Sequence, residues 1–290
     1  MLKPLAFALA LLAGAASAQD RPVVATVNYP LAWMAERLGG DAVEVLFPVP
    51  EGRDPSFWRP GLSDIAAIQQ ADLIALNGAG FAAWTTRASL PRSRLVDTSA
   101  KLSDAFIATQ SVTHSHGDDG AHSHTGTASY TWLDFELAAG QARALAAAMQ
   151  RRMPGLSDQV AETMPALLAD LDALDTQARE ALATLQGTTI IATHPRYQYF
   201  ARAYGLDIAA LEWEAGAIPD EAQWQDLKDM MADTGASVLI WEAEPPREAR
   251  DRAAELGLVS VIFAPLATRP ASGDFASVMR AQIEALAGRQ

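Results

Sequence analysis

The chain has 290 residues, half of them apolar, with 35 acidic against 22 basic side chains and a formal net charge of −13 at pH 7. That acidity excludes the basic, phosphate-reading surface of a nucleic-acid-binding protein. The absence of cysteine excludes disulfides and a thiolate nucleophile, and predicts no lipid-modified N-terminal cysteine.

The first segment, MLKPLAFALALLAGAASAQD, has an early cation (Lys3), an apolar run from Leu5 to Ala16, and Ala-Ser-Ala before Gln19. This pattern predicts a secretory signal over residues 1–18, cleaved after an A-x-A site. The apolar run is too short for a stable membrane span, which needs about 20 residues. The mature chain is therefore expected to be exported to the periplasm, freely diffusing and without membrane insertion. Its length suits one large domain or two smaller ones.

From Arg21 onward, short apolar strands alternate with helical stretches. VVATV (23–27) reads as a strand, PLAWMAERLGG as a helix closed by Gly39-Gly40, and VEVLFPV (43–49) as a strand. SDIAAIQQA reads as a helix with Ser63 as N-cap and Ile65 and Ile68 on one face, and DLIALN (72–77) as a buried strand. Strand–helix–strand repetition predicts an α/β fold with mainly parallel sheets flanked by helices.

The same pattern restarts at TTIIAT (188–193), followed by the helix YQYFARAYGL ending at Gly205. DEAQWQDLKDMMADTG reads as a helix capped by Asp220 and stopped by Gly235. SVLIWEAE (237–244) and VSVIFAPL (259–266) are strands, PREARDRAAELGL lies between them as a helix, and FASVMRAQIEALAGR is a closing helix. Between the halves, Val160, Met164, Leu167, Leu171, Leu174, Ala178, Leu182 and Leu185 recur at spacings of three and four. That is the stripe of a long buried helix, with Pro165 near its start as a candidate kink. The expected organisation is an N-terminal lobe over 19–150, a linking helix over 151–186 and a C-terminal lobe over 187–290.

Residues 113–126, THSHGDDGAHSHTG, hold four of the five histidines: His114, His116, His122 and His124. His-x-His pairs place two imidazoles within chelating reach of one zinc ion. Gly117, Gly120 and Gly126 predict a mobile tract, whose ordering cost of about 1 kcal/mol per fixed residue leaves moderate affinity. It would release metal as its imidazoles protonate below about pH 6.5. Enzyme signatures are lacking: there is no HExxH helix and no Ser-centred elbow, and GAGFAAW lacks the third glycine of a dinucleotide loop.

Residues 23–84, together with YTWLDFELA (130–138), THPRYQYFARAYGL (193–206), WEAEPP (241–246) and VIFAPL (261–266), closely resemble the zinc- and manganese-specific substrate-binding proteins of ABC importers. The His-rich tract falls where zinc-specific members carry one. The resemblance implies two α/β lobes joined by a long helix, a divalent metal (zinc foremost) clamped between them, a membrane permease as partner, and no catalysis. A monomer is expected. It also implies four ligand positions, and only one is kept. Ser56 in DPSFWRP and Tyr130 in ASYTWLDF stand where histidines are usual, His194 matches, and Ala264 replaces an acidic residue. A serine hydroxyl is a weak donor for zinc, alanine is none, and Tyr130 would ligate only as phenolate.

Three readings follow. A composite zinc site would join His194 with His114, His116, His122 or His124. Alternatively, an aromatic, oxygen-rich cleft with Tyr130, Trp58, Trp132 and Arg59 would take a chelated metal or a small organic solute. In the third reading the protein is an accessory that buffers zinc. Arg59, where the family commonly has Glu, disfavours a bare divalent ion. Glu244 and Asp134 are further acidic candidates, but Glu244 reads better as a structural group and Asp134 better as the N-cap of a helix from Phe135.

Overall fold

The computed structural model describes residues 21–109, 113–115, 121–123 and 126–288. The expected signal segment and His116 and His124 lie outside the described residues. Two four-stranded sheets organise the chain. The first contains β1 (Val23–Thr26), β2 (Glu44–Leu46), β3 (Leu73–Leu76) and β4 (Leu95–Asp97), in the order β2-β1-β3-β4 and parallel throughout. Two short antiparallel pairs follow: β5 (Ala108–Thr109) with β8 (Gly126–Thr127), and β6 (Thr113–Ser115) with β7 (Ala121–Ser123). The second sheet, β9 (Thr189–Ala192), β10 (Asp207–Ala210), β11 (Val238–Trp241) and β12 (Val259–Ile262), repeats the plan as β10-β9-β11-β12, again parallel.

Both sheets are buried on two faces, which is why their strands read as continuous apolar runs rather than alternating ones. In β9, Ile190 faces one hydrophobic cluster and Ile191 another; in β11, Ile240 and Leu239 divide in the same way. In β3, Leu73 joins the large central cluster, and Ile74 packs with Ile68 and Leu90 on the far side.

The helices are α1 (Tyr29–Gly39), α2 (Leu62–Gln70), α3 (Phe135–Arg152), α4 (Ser157–Ala181), α5 (Gln198–Tyr204), α6 (Glu221–Thr234), α7 (Arg247–Glu255) and α8 (Phe275–Ala287). The 25-residue α4 is about 37 Å long at 1.5 Å per residue. It packs on α1 and α3 on one side and on α8 on the other. Val160, Leu167, Leu171, Leu174, Ala178 and Leu182 are fully buried along the expected stripe, while Met164 is only half-buried. Each buried leucine contributes about 2 kcal/mol of apolar burial. One core therefore runs from β1 and β3 through these helices to β9, β11 and β12. Helical geometry continues through Pro165.

Local signals behaved unevenly. Asp134 accepts from the Glu136 and Leu137 N–H groups and caps α3, and Asp220 caps α6 with Gly235 left-handed behind it. Ser63 is not the N-cap of α2. Gly61 holds that place, and the Asp64 carboxylate accepts its N–H at 2.8 Å. β2 stops at Leu46, short of the expected Val49, and β4 and β10 are strands that periodicity did not single out. All three are short, and sheet pairing rather than local pattern defines them. Among the described residues no helix is long and apolar enough to cross a membrane.

Candidate functional site

In open parallel α/β sheets, ligands bind beyond the carboxyl ends of the strands. In the second sheet those ends lead into His194 and Arg196 after β9, Glu242 after β11 and Ala264 after β12. The first sheet contributes through the loop from β2 to α2, which carries Asp54, Ser56 and Phe57, and Tyr130 is supplied by the segment before α3.

Asp54 organises the N-terminal side. One of its oxygens accepts from the Ser56 N–H at 2.8 Å and the Ser56 hydroxyl at 2.6 Å, an Asx turn that fixes the loop. Its other oxygen accepts from Arg196 at 2.6 Å across the cleft. Arg196 Nε lies 3.4 Å from Glu242 Oε1, and the guanidinium sits 4.7 Å from the centre of the Tyr130 ring and 5.3 Å from that of Phe57. Burial works against the charge of Arg196, but Tyr130, Asp54, Glu242 and Tyr197 around it hold its pKa above the ordinary value. Burial raises Glu242 above the usual carboxylate range, with Arg196 opposing.

Tyr130 is 3% exposed, packed against Trp132 and Phe81, with its hydroxyl 3.5 Å from both Asp54 and Ser56. Burial pushes the phenol well up, partly offset by Arg196, so in this state it is a neutral hydroxyl. His194 is 5% exposed, and its Nδ1 lies 2.9 Å from the Trp213 carbonyl. A carbonyl only accepts, so Nδ1 carries the proton in this contact.

Of the expected residues, the structure brings Ser56 and Tyr130 together around Asp54 and places His194 two residues before Arg196. Ala264 offers no side-chain donor; its backbone is held at both ends by Gln282. Glu244 is exposed and pairs with Arg250 on the surface. The acid of that segment facing the cluster is Glu242. Arg59 is exposed, Trp132 is core with its indole N–H bonded to the Pro265 carbonyl at 2.7 Å, and Trp58 packs edge-on to Trp84. In the β6–β7 hairpin, His114 and His122 are register partners. Among the described residues, no three His, Asp or Glu side chains converge into a metal site. Asp54, Arg196 and Glu242 were missed in the sequence. Their only signal was charge embedded in otherwise apolar, motif-bearing segments.

Two parallel sheets of one strand order, with these residues beyond their strand ends and one long helix packed between the halves, define a two-lobed α/β protein. Manganese ABC transporter substrate-binding lipoprotein PsaA of Streptococcus pneumoniae is 28% identical over 208 residues, covering 68% of this chain and 64% of that protein. The chain thus spans just under two thirds of that relative's length. Among solved structures, Zn(II)-bound AdcA from Streptococcus pneumoniae superposes with a TM-score of 0.79 at 18% identity, over 93% of this chain and 57% of that one. The metal-dependent lipoprotein YcdH from Bacillus subtilis gives 0.76 at 20% identity, over 92% and 98%. The family model described as zinc-uptake complex component A, periplasmic, matches residues 23–288. The chain belongs to that family.

Proposed function

We propose that this chain is the periplasmic substrate-binding component of a metal ABC importer, with zinc as the first candidate cargo and manganese the second. The observation that carries this reading is the family match over residues 23–288. The manganese and zinc named for PsaA and AdcA support the pair of candidates. Its partners are the metal ion and a membrane permease on which the two lobes dock as a monomer. Membership of a family of uptake components supports binding rather than enzymatic work.

In this reading the tract with His114, His116, His122 and His124 gathers metal, and His194 is the candidate ligand of the cleft. A composite site forms if the tract folds over that imidazole. The buried Arg196 favours a second reading, in which the cleft takes a chelated metal or a small organic solute bearing an anionic group. An accessory zinc-buffering protein is the remaining form of the proposal.

Calorimetric titration of the chelator-treated mature protein with zinc and with manganese tests these readings, alongside a variant lacking 113–126 and His194→Ala. Equal loss in both variants supports the composite site, and loss only on deleting the tract supports the accessory role. A wild-type protein that binds neither metal overturns the metal reading.

A further inference from the structure

Arg196, Asp54 and Glu242 occupy none of the expected ligand positions, yet they fill the space between the lobes. The Arg196 side chain is 9% exposed and that of Glu242 15%, against 44% and 66% for the surface pair Arg250 and Glu244. A guanidinium stays out of water only where anions and ring faces replace its hydration. Here one carboxylate comes from each lobe, and the Tyr130 and Phe57 rings cover the cation. Nε of Arg196 is buried 3.4 Å from Glu242, so charge and the bond to Asp54 hold the group. The Glu242 N–H donates to the Thr193 hydroxyl at 3.3 Å, which sets Glu242 beside the strand end that carries His194.

The geometry points to Arg196 as a cation built into the chain, occupying the seat where the cleft would otherwise draw a divalent ion. While the guanidinium is in place, Asp54 and Glu242 do not accept a bare divalent metal. Once its charge is removed, those carboxylates are left to draw a divalent cation in its place. The inference rests on the reading that this cleft is the substrate site, and it makes Arg196 the residue that sets which ligands enter. The physical reason is competition: the guanidinium and a metal ion need the same carboxylate lone pairs, and like charges repel strongly in a poorly solvated cleft. Carboxylate oxygens are donors that suit manganese, so Mn²⁺ is the probe.

The test is Mn²⁺ titration of the full mature chain, by calorimetry and by the electron paramagnetic resonance of free Mn²⁺. The His-rich tract is unchanged in every variant, so differences report the cleft. Arg196→Gln is expected to bind Mn²⁺ at least tenfold more tightly than wild type, or to take up one additional ion per chain. Arg196→Lys, which keeps the charge, is expected to show no gain, and adding Asp54→Asn to Arg196→Gln is expected to cancel it. The inference is overturned if Arg196→Gln shows no gain, if Arg196→Lys gains equally, or if Asp54→Asn leaves the gain intact. Should Arg196→Gln be unfolded without metal, restoration of its circular dichroism by Mn²⁺ supports the inference, and failure to restore it counts against it. Wild type binding no metal at all defeats the cargo assignment but leaves this comparison between variants standing.

Discussion

The two sheets share one strand order but end in different chemistry. Beyond β1 and β3 lies a neutral, buried amide network. The Asn77 side-chain oxygen accepts from Asn28 and Gln141, at 3.1 Å each, and the Asn77 amide donates to the Gly78 and Ser129 carbonyls. Gln141 also reaches Thr98, and the Asn28 oxygen caps α1 through the Leu31 N–H. Beyond β9 and β11 lie His194, Arg196 and Glu242, an imidazole and two opposite charges. Identical topology has produced a neutral amide network at one set of strand ends and a buried charged cluster at the other. The N-terminal lobe enters the site only through its long β2–α2 loop and Tyr130.

That contrast can be broken at several points, starting where the lobes join. Trp132 is fully buried and bonds across to the Pro265 carbonyl. Trp132→Ala is expected to cost about 4 kcal/mol, read as a lowered denaturant midpoint, and to loosen both halves together. Asn77→Leu removes the hub of the neutral network and strands the Asn28 amide N–H, while Gln141 keeps Thr98 and the residue-77 carbonyl, with an expected loss of about 2 kcal/mol. If the network is scaffold only, refolded Asn77→Leu protein should keep the metal affinity of wild type in the same titration.

Asp274 sits at a second joint. It caps α8 through the Ser277 N–H and accepts the Trp33 indole N–H at 3.2 Å. Burial opposes its charge, but the bonds from Ser277 and Trp33 outweigh it and lower its pKa below the ordinary 3.8. A depressed carboxyl stabilises the fold above the unfolded value, and that contribution disappears as pH falls through the folded value. Asp274→Ala is thus expected to cost about 1 kcal/mol at neutral pH. Thermal melts should show the gap to wild type closing below pH 3.8. The smallest effect belongs to the exposed Glu244–Arg250 pair. Glu244→Gln should change stability by less than about 0.5 kcal/mol and leave metal titrations unaltered, in contrast to Arg196→Gln.

Much of the architecture was legible because it rests on local physics. Two-sided burial makes the strands of β1, β3, β9 and β11 continuous apolar runs. The 3.6-residue period marks α4, and Asp134 and Asp220 cap helices through atoms two or three residues away. Ser63 misled because a hydroxyl before an apolar periodicity looks like a cap, while the Gly61 backbone with Asp64 does the same work two residues earlier. The short β4 and β10 were missed because their residues acquire strand character only through their neighbours. At the site, Ser56, Tyr130 and His194 were found as positions, but their surroundings were not.

By its own order, the sequence determined two α/β halves, a long helix between them and a histidine-rich tract, and it marked Ser56, Tyr130 and His194 as candidate positions for a cleft. Only the tertiary structure decided what fills that cleft. Asp54 and Arg196 stand 142 residues apart, and neither has a local periodicity or cap to reveal it. A buried ion pair exists only once the fold has removed both charges from water and set them against each other, so chain order alone cannot announce it.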